Sequence, residues 1–581
     1  LEKEATHGGA LIRLAEYHYR KGQYAEGLDF ARKVLAENTY HGGANYLYGA
    51  LYRKLGDLTK AEEALSVATW TMEYRSGAYA QLAGIALQKQ DFEKAEHDAR
   101  KALDYNRNNL VAYQLLGTAL RKLHKPEQAT QVWKDLLEVD PLNHYAHFEQ
   151  HLLSPNRENQ DIFQQAIRNE LPHETYLELA MDYVNQGQNQ EAKQVLELAP
   201  AHPTVSYWLA YLNRDFAPAE SKKHLQKAIE MSPELVFPFR LESIPVLTWA
   251  EKQSPSWKNR YYLGLIYWHI NDNENAKAQF AACKNEPDYA PFYMSRGILS
   301  QNDPASKTQA QQDFVKANQL NPKEWRTWHY LTHHFNGAGM QDKALENAMK
   351  AYERFADNPV IGIDYAKSLL NAGKFETSLQ VLNKIRILPQ EGAREGHNVF
   401  VVANLAHALA FAKNRKYKDA LKSLERARMW PENLGTGKPH EPDNRLTDYL
   451  AAYCETQLGN AHKAAQYEQD IMDYSLHGSK ESNRNALSNY LGVKLLRNAG
   501  IQEQASKYLD NWKAEQDSLR NWELTQGSGA PEVKWVIAKA QDDLAQSERL
   551  EKELTEDKKY SLTTLFFGIL ALTDTRQSGN K

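Results

Sequence analysis

Cysteine is almost absent from this chain: Cys283 and Cys454 stand alone among 581 residues. Two cysteines build no disulfide framework, and their separation matches no zinc-ligand spacing. Each is expected as a small buried hydrophobe, which allows a reducing compartment without requiring one. Long apolar runs are missing too. The longest, LTTLFFGILAL at 562–572, falls short of the ~20 residues that span a bilayer, so it is expected as a terminal helix covering the end of a core. An excess of one charge is also lacking. Lys and Arg number 70 against 74 Asp and Glu, a formal charge of −4 and a pI near 6.6, which gives no long-range attraction to nucleic acid or anionic lipid. No G-x-S-x-G elbow, P-loop or dinucleotide fingerprint occurs, so no nucleophile–base pair is assigned and no cofactor is expected. The chain opens LEKEATHGG, without Met, and is expected to be a piece of a longer protein. Cytoplasm and periplasm both stay open as compartments.

What is present is length and periodicity. A single core stops growing near ~250–300 residues, so 581 residues imply several domains or a repeat array. Ala15, Gly49, Ala83 and Gly117 recur at intervals of 34, and Gly27, Ala61, Ala95 and Ala129 follow twelve residues behind. One small residue on each of two helices lets their axes approach to ~8–10 Å. KGQY at 21–24, LGDL at 55–58 and KQDF at 89–92 are the intervening turns, and Pro141 and Pro322 stop helices. A third series, Val34, Ala68, Ala102 and Leu136, lets each second helix meet the next repeat.

These positions resemble the tetratricopeptide repeat. The pattern returns at Leu263–Gly264, Tyr267, Ala276 and Phe280, then at Ala310, Ala344 and Ser378, and with wider spacing at Ala420, Ala464 and Ala505. The expected fold is all-α: a right-handed α–α superhelical solenoid of about a dozen stacked hairpins. Its expected divisions are four in-register repeats over 1–142, divergent helical repeats over 143–255, and further repeats over 256–385. Repeats with long polar insertions follow over 386–520, and capping helices over 521–581.

On the concave face, Arg20, Arg53, Lys54, Arg121 and Lys122 form a modest basic stripe suited to an acidic peptide. Tetratricopeptide clamps for a terminal carboxylate use Asn one residue after the small position. Glu16, Ala50, Gly84 and Thr118 stand there, so that clamp is not expected, and the stripe also fits a plain solvated face. HYAHFEQH places His144, His147 and His151 on one helical face, a weak candidate for a metal. Glu149 is not where the metalloprotease H-E-x-x-H pattern needs it. Trp325, Trp328 and Leu331 of WRTWHYLTHHF read as core.

Two insertions stand out. LPQEGAREGHNVF at 388–400 and the loop within MWPENLGTGKPHEPDNRLTDY, 431–443, lengthen successive hairpins at comparable points of the repeat. Solenoid insertions emerge on one face and often carry binding. The alternative is a loop that only adjusts curvature. Glu391, Arg394, Glu395, His397, Asn433, Lys438 and His440 supply the polar groups, and Glu391 and Glu395 are weak candidates for paired acid–base carboxylates.

With TMEYRSGAYAQLA (71–83) and FPFRLESIPVLTWA (237–250), these stretches resemble a family of large bacterial tetratricopeptide proteins. Their N-terminal half is a β-rich domain similar to mutarotase-like sugar-handling folds. Its characteristic segments correspond here to Glu73–Arg75, Arg240–Glu242, Glu391–His397 and Glu432–His440, which adds Arg75, Arg240 and Glu242 to the candidate binding residues. The resemblance implies a carbohydrate-related setting and a missing N-terminal partner domain. Two functions are therefore carried forward. One is a scaffold docking a protein or its own missing domain. The other is part of a composite carbohydrate-active enzyme with a glycan site at the two loops.

Overall fold

The computed structural model describes residues 7–390, 393–478, 486–523, 530–556 and 560–574, with the side chains of 515–523 left aside. The described residues form 32 α-helices and two short 3-10 turns, with no strand among them. The all-α expectation is met. The chain divides into two compact units, Leu1–Asp288 and Tyr289–Lys581.

In the first unit the repeat is written into the backbone. First helices Gly8–Arg20, Gly42–Lys54, Leu110–Lys122 and His144–Leu153 begin at His7, His41, Asn109 and Asn143, whose side chains accept the N–H of the residue three further on. Such caps satisfy N–H groups that the helix itself leaves unpaired. Gly8–Arg20, Gly42–Lys54 and Leu110–Lys122 each pack on their own second helix and on the first helix of the next repeat, the stacking that a hairpin needs to bury its apolar stripe. The small series sets the spacing. A Cβ on Gly49 would stand 2.6 Å from Leu65 and 3.0 Å from the Ala61 carbonyl, and one on Gly117 2.2 Å from the Trp133 ring. The turn inside each hairpin places one residue at positive φ: Gly22, Gly56, Gln90 and His124, again 34 apart, with φ of 72°, 84°, 61° and 56°. Glycine adopts this region freely, while Gln90 and His124 hold it under mild strain.

The second unit repeats the plan. First helices Ala290–Ser300, Trp325–Gly337, Pro359–Asn371, Glu395–Lys413, Arg445–Gln457, Ala486–Asn498 and Pro531–Ala540 contact one another in succession. One large apolar core runs beneath the helices from Pro359–Asn371 onward, from Ile363 to Leu570, and a smaller one holds Phe314, Leu331 and Phe335. The apolar helix Leu562–Asp574 does more than close the end of the stack. It folds back onto Glu395–Lys413 and Arg445–Gln457 as well as Leu544–Thr555, and buries Leu565, Phe566, Phe567, Ile569 and Leu570. Tyr560, just before it, donates its backbone N–H to Asn371 at 3.3 Å. Cys283 and Cys454 are both buried, as expected, and burial pushes the Cys454 thiol up to about 12. No helix among the described residues is long and apolar enough to cross a membrane.

Candidate functional site

In the second unit the two insertions meet. After the second helix Phe375–Lys384 the chain runs without regular structure to Gln390, and after Tyr417–Ala427 it makes a 3-10 turn, Glu432–Leu434, closed by Gly435 at φ 70°. The Ile387 N–H donates to the Asn433 carbonyl at 2.8 Å. The Asn433 side chain turns inward and donates to the Leu382 and Ile385 carbonyls at 2.8 and 2.9 Å, which satisfies orphan carbonyls at a helix end. Asn433 is thus the clasp between the loops. A Cβ at Gly435 would lie 2.8 Å from the Ile387 carbonyl, so glycine serves both its positive φ and the close approach. The Thr436 hydroxyl donates to the Ala393 carbonyl.

The joined loops wall a cleft of about 910 Å³, within the range of ligand sites. Arg394, His397, Trp430 and His440 line it, with Asp443, Tyr474 and Glu532. His397 stacks on Trp430 with ring centroids 3.6 Å apart and an interplanar angle of 16°. Its Nε2 lies 3.2 Å from the Met429 carbonyl, a contact that suits the neutral ring donating its N–H. Burial lowers its pKa against the smaller raising effect of that carbonyl, so the ring is neutral at physiological pH. Asp443 is held by Arg445, which is 1% exposed and also donates to Ser475, Asn489 and Tyr508. Tyr474 donates to the Glu441 carbonyl at 2.8 Å. Fixed polar groups and a supported aromatic wall make a rim that is shaped before any partner arrives.

The remaining candidates fall in several places. Lys438 is exposed on the loop, and Glu395 pairs with Lys367 across to Pro359–Asn371. Glu391 lies outside the described residues. Arg75 and Arg240 belong to the first unit and are engaged there. Arg75 donates to the Thr69 and Trp70 carbonyls and lies over the Tyr105 ring. Arg240 pairs with Glu174 at 3.0 Å, and Glu242 with Lys54 at 3.5 Å.

Most of the basic stripe is engaged too. Arg53 donates to Gln81 at 2.6 Å and to the Asn185 carbonyl at 2.8 Å. Arg121 makes a two-pronged pair with the fully buried Glu149 at 2.7 and 3.0 Å and reaches Glu191 at 3.1 Å, while Lys122 meets Glu191 at 2.5 Å. The carboxylates hold the Arg121 guanidinium charged despite burial. Arg20 is exposed. Four of the five stripe cations therefore bind acids, amides or carbonyls of this same unit, which the repeat register alone did not reveal. His144, His147 and His151 share the helix His144–Leu153. No group of three or more His, Cys, Asp or Glu among the described residues is placed to hold a metal.

Tyr474, Glu532, Leu562 and Thr563 reach the cleft from three later segments, and no local pattern marked them. Trp430 directly precedes the 431–443 insertion in sequence, and only the fold sets it against His397.

A family profile described as tetratricopeptide repeat matches residues 76–109, the latter part of helix Met72–Gln88 and the whole of Phe92–Tyr105. Among solved structures, the chain is similar to PilF of Pseudomonas aeruginosa at 13% identity, covering 39% of this chain and 92% of that one, TM-score 0.25. It is similar to the Cut9–Hcn1 hetero-tetramer of APC/C at 14% identity, 85% and 97% covered, TM-score 0.25. Naa15/Naa10 bound to HypK-THB gives 13% identity, 100% and 93% covered, and again a TM-score of 0.25. Scores this low carry no argument about function.

Proposed function

We propose that this tetratricopeptide-type chain is a docking scaffold, and that the cleft between the two inserted loops of the second unit holds a segment of its partner. The observation that supports this reading is the convergence of 393–400 and 431–443 on one cleft, with the loops clasped by Asn433. A curvature loop needs no such clasp and no stacked His397–Trp430 wall. The partner is a protein, or a further domain of the same protein as the family resemblance implies. The test is site-specific photo-crosslinking from position 438 in the full chain in its own cells. A discrete adduct is expected, and Arg394→Glu, which reverses the charge of one lining residue without touching the clasp, should reduce it several-fold. A 438 adduct indifferent to Arg394→Glu, or no adduct beyond that of a probe at exposed Arg13, would sink the proposal.

A second reading, a glycan site in the same cleft, is favoured by one feature: an aromatic wall at Trp430 facing polar groups of both signs. Calorimetry of the chain with oligosaccharides separates the two, since heat lost on Trp430→Ala supports the glycan and no heat removes it.

A further inference from the structure

Beside the cleft lies a second, smaller pocket of about 380 Å³, lined by Leu379, Asn383, Phe400, Arg426, Met429 and Trp430. Pro431 and Asn404 complete its wall. Asn404 is fully buried, its Nδ2 donates to the Phe400 carbonyl at 3.0 Å, and its Oδ1 has no hydrogen-bond partner among the described residues. A buried acceptor left unpaired costs about 1–3 kcal/mol, so such a group calls for an explanation.

The repeat register supplies one. Ala83 and Ala95 are the paired small residues of the third repeat, and Ala408 and Ala420 hold the same places twelve apart in this later one. Four residues before Ala83 stands Tyr79, and ten after Ala95 stands Tyr105. Their rings stack with centroids 5.9 Å apart and planes 13° from parallel. The corresponding residues here are Asn404 and Trp430. Trp430 keeps the aromatic partner, but Asn404 withdraws the ring that would stack on it, and the pocket is the space left. His397 covers one face of Trp430, so the aromatic wall is held in place whether or not the pocket is filled.

We infer that this pocket receives an aromatic side chain bearing a hydrogen-bond donor, a tyrosine of the docked partner. Its ring would restore against Trp430 the stack that Tyr79 and Tyr105 make, and its hydroxyl would donate to Asn404 Oδ1. Phe400, Leu379 and Met429 supply apolar contact for the ring. The inference rests on the scaffold reading, but its site is the side of the hairpin and not the cleft.

The test follows the Met429 methyl by NMR in the full chain labelled at methionine methyls, titrated with N-acetyltyrosinamide, N-acetylphenylalaninamide and p-cresol. The tyrosine amide should shift Met429 saturably and bind about five-fold tighter than the phenylalanine amide, the size of one net hydrogen bond. Asn404→Leu should bring the two amides level. Asn404→Tyr, which fills the pocket from within, should abolish the shift, and Trp430→Leu provides the same loss without altering Asn404. Equal affinity for the two amides in the unaltered chain, binding of p-cresol alone, or a shift that survives both Asn404→Tyr and Trp430→Leu overturns the inference. Those outcomes leave the crosslink from position 438 untouched, so the pocket and the cleft fail separately.

Discussion

At the scale of single residues, the first unit stores a titration that its sequence does not advertise. Asp182 sits in helix Pro172–Asn185. Burial, with Glu178 and Glu242 adding to it against Arg240, pushes its carboxyl up to about 7. An acid whose folded pKa lies above its unfolded value of about 3.9 contributes stability that is fully present below pH ~4 and is lost as pH rises toward 7. Asp182→Asn should therefore leave the unfolding midpoint nearly unchanged at pH 4 and raise it at pH 7.5. Denaturation of the two chains across that range checks the sign. A stabilisation independent of pH would mean that Asp182 ionises normally. Other residues speak plainly in sequence. Gly49 and Gly117 announce close helix crossings, because a side chain there meets Leu65 or Trp133.

At the scale of elements, the ion pairs join helices that are not neighbours in sequence. Arg121 of Leu110–Lys122 links Glu149 of His144–Leu153 with Glu191 of Asn189–Glu197, and Tyr183 donates to the same Glu149 at 2.9 Å. Removing one partner of a buried pair leaves the other charge uncompensated, a cost of about 3–5 kcal/mol. Arg121→Ala should destabilise the first unit by that order, and the double change Arg121→Met with Glu149→Leu should recover most of it. Both are read by denaturant unfolding. A loss under ~1 kcal/mol would mean that water reaches Glu149 in the variant and that the pair is only a surface contact. The repeat register set Arg121 and Lys122 side by side and left their partners unseen. Glu191 stands 70 residues from Arg121, and only the path of the stack brings it near.

At the scale of the whole molecule, the end of the second unit packs back on helices far earlier in the chain. Helix Leu562–Asp574 lies on Glu395–Lys413, with Leu409 3.0 Å from a Cβ built on Gly568. Phe566 and Phe567 meet Trp535 edge-on at 5.6 and 5.0 Å. A chain ending at Glu556 should bind a hydrophobic dye strongly and lose its second-unit thermal transition by many degrees, since five large side chains at about 1.5–3 kcal/mol each lose their burial. Unchanged melting and dye binding would show that the helix is an accessory layer. Its composition predicted burial, but composition says nothing of which surface lies beneath.

The amino-acid sequence alone determined the helical hairpin, its 34-residue period, the small residues at the crossings and the positions of the two insertions. All of these follow from local stereochemistry and from neighbours within one or two turns of helix. Only the tertiary structure decided that Asn433 fastens the insertions together, that Trp430 and His397 share a wall, and that Arg53, Lys54, Arg121 and Lys122 are already paired. Those outcomes depend on how rise and rotation accumulate over several stacked repeats, and a sum over many small angles is carried by no single segment of the chain.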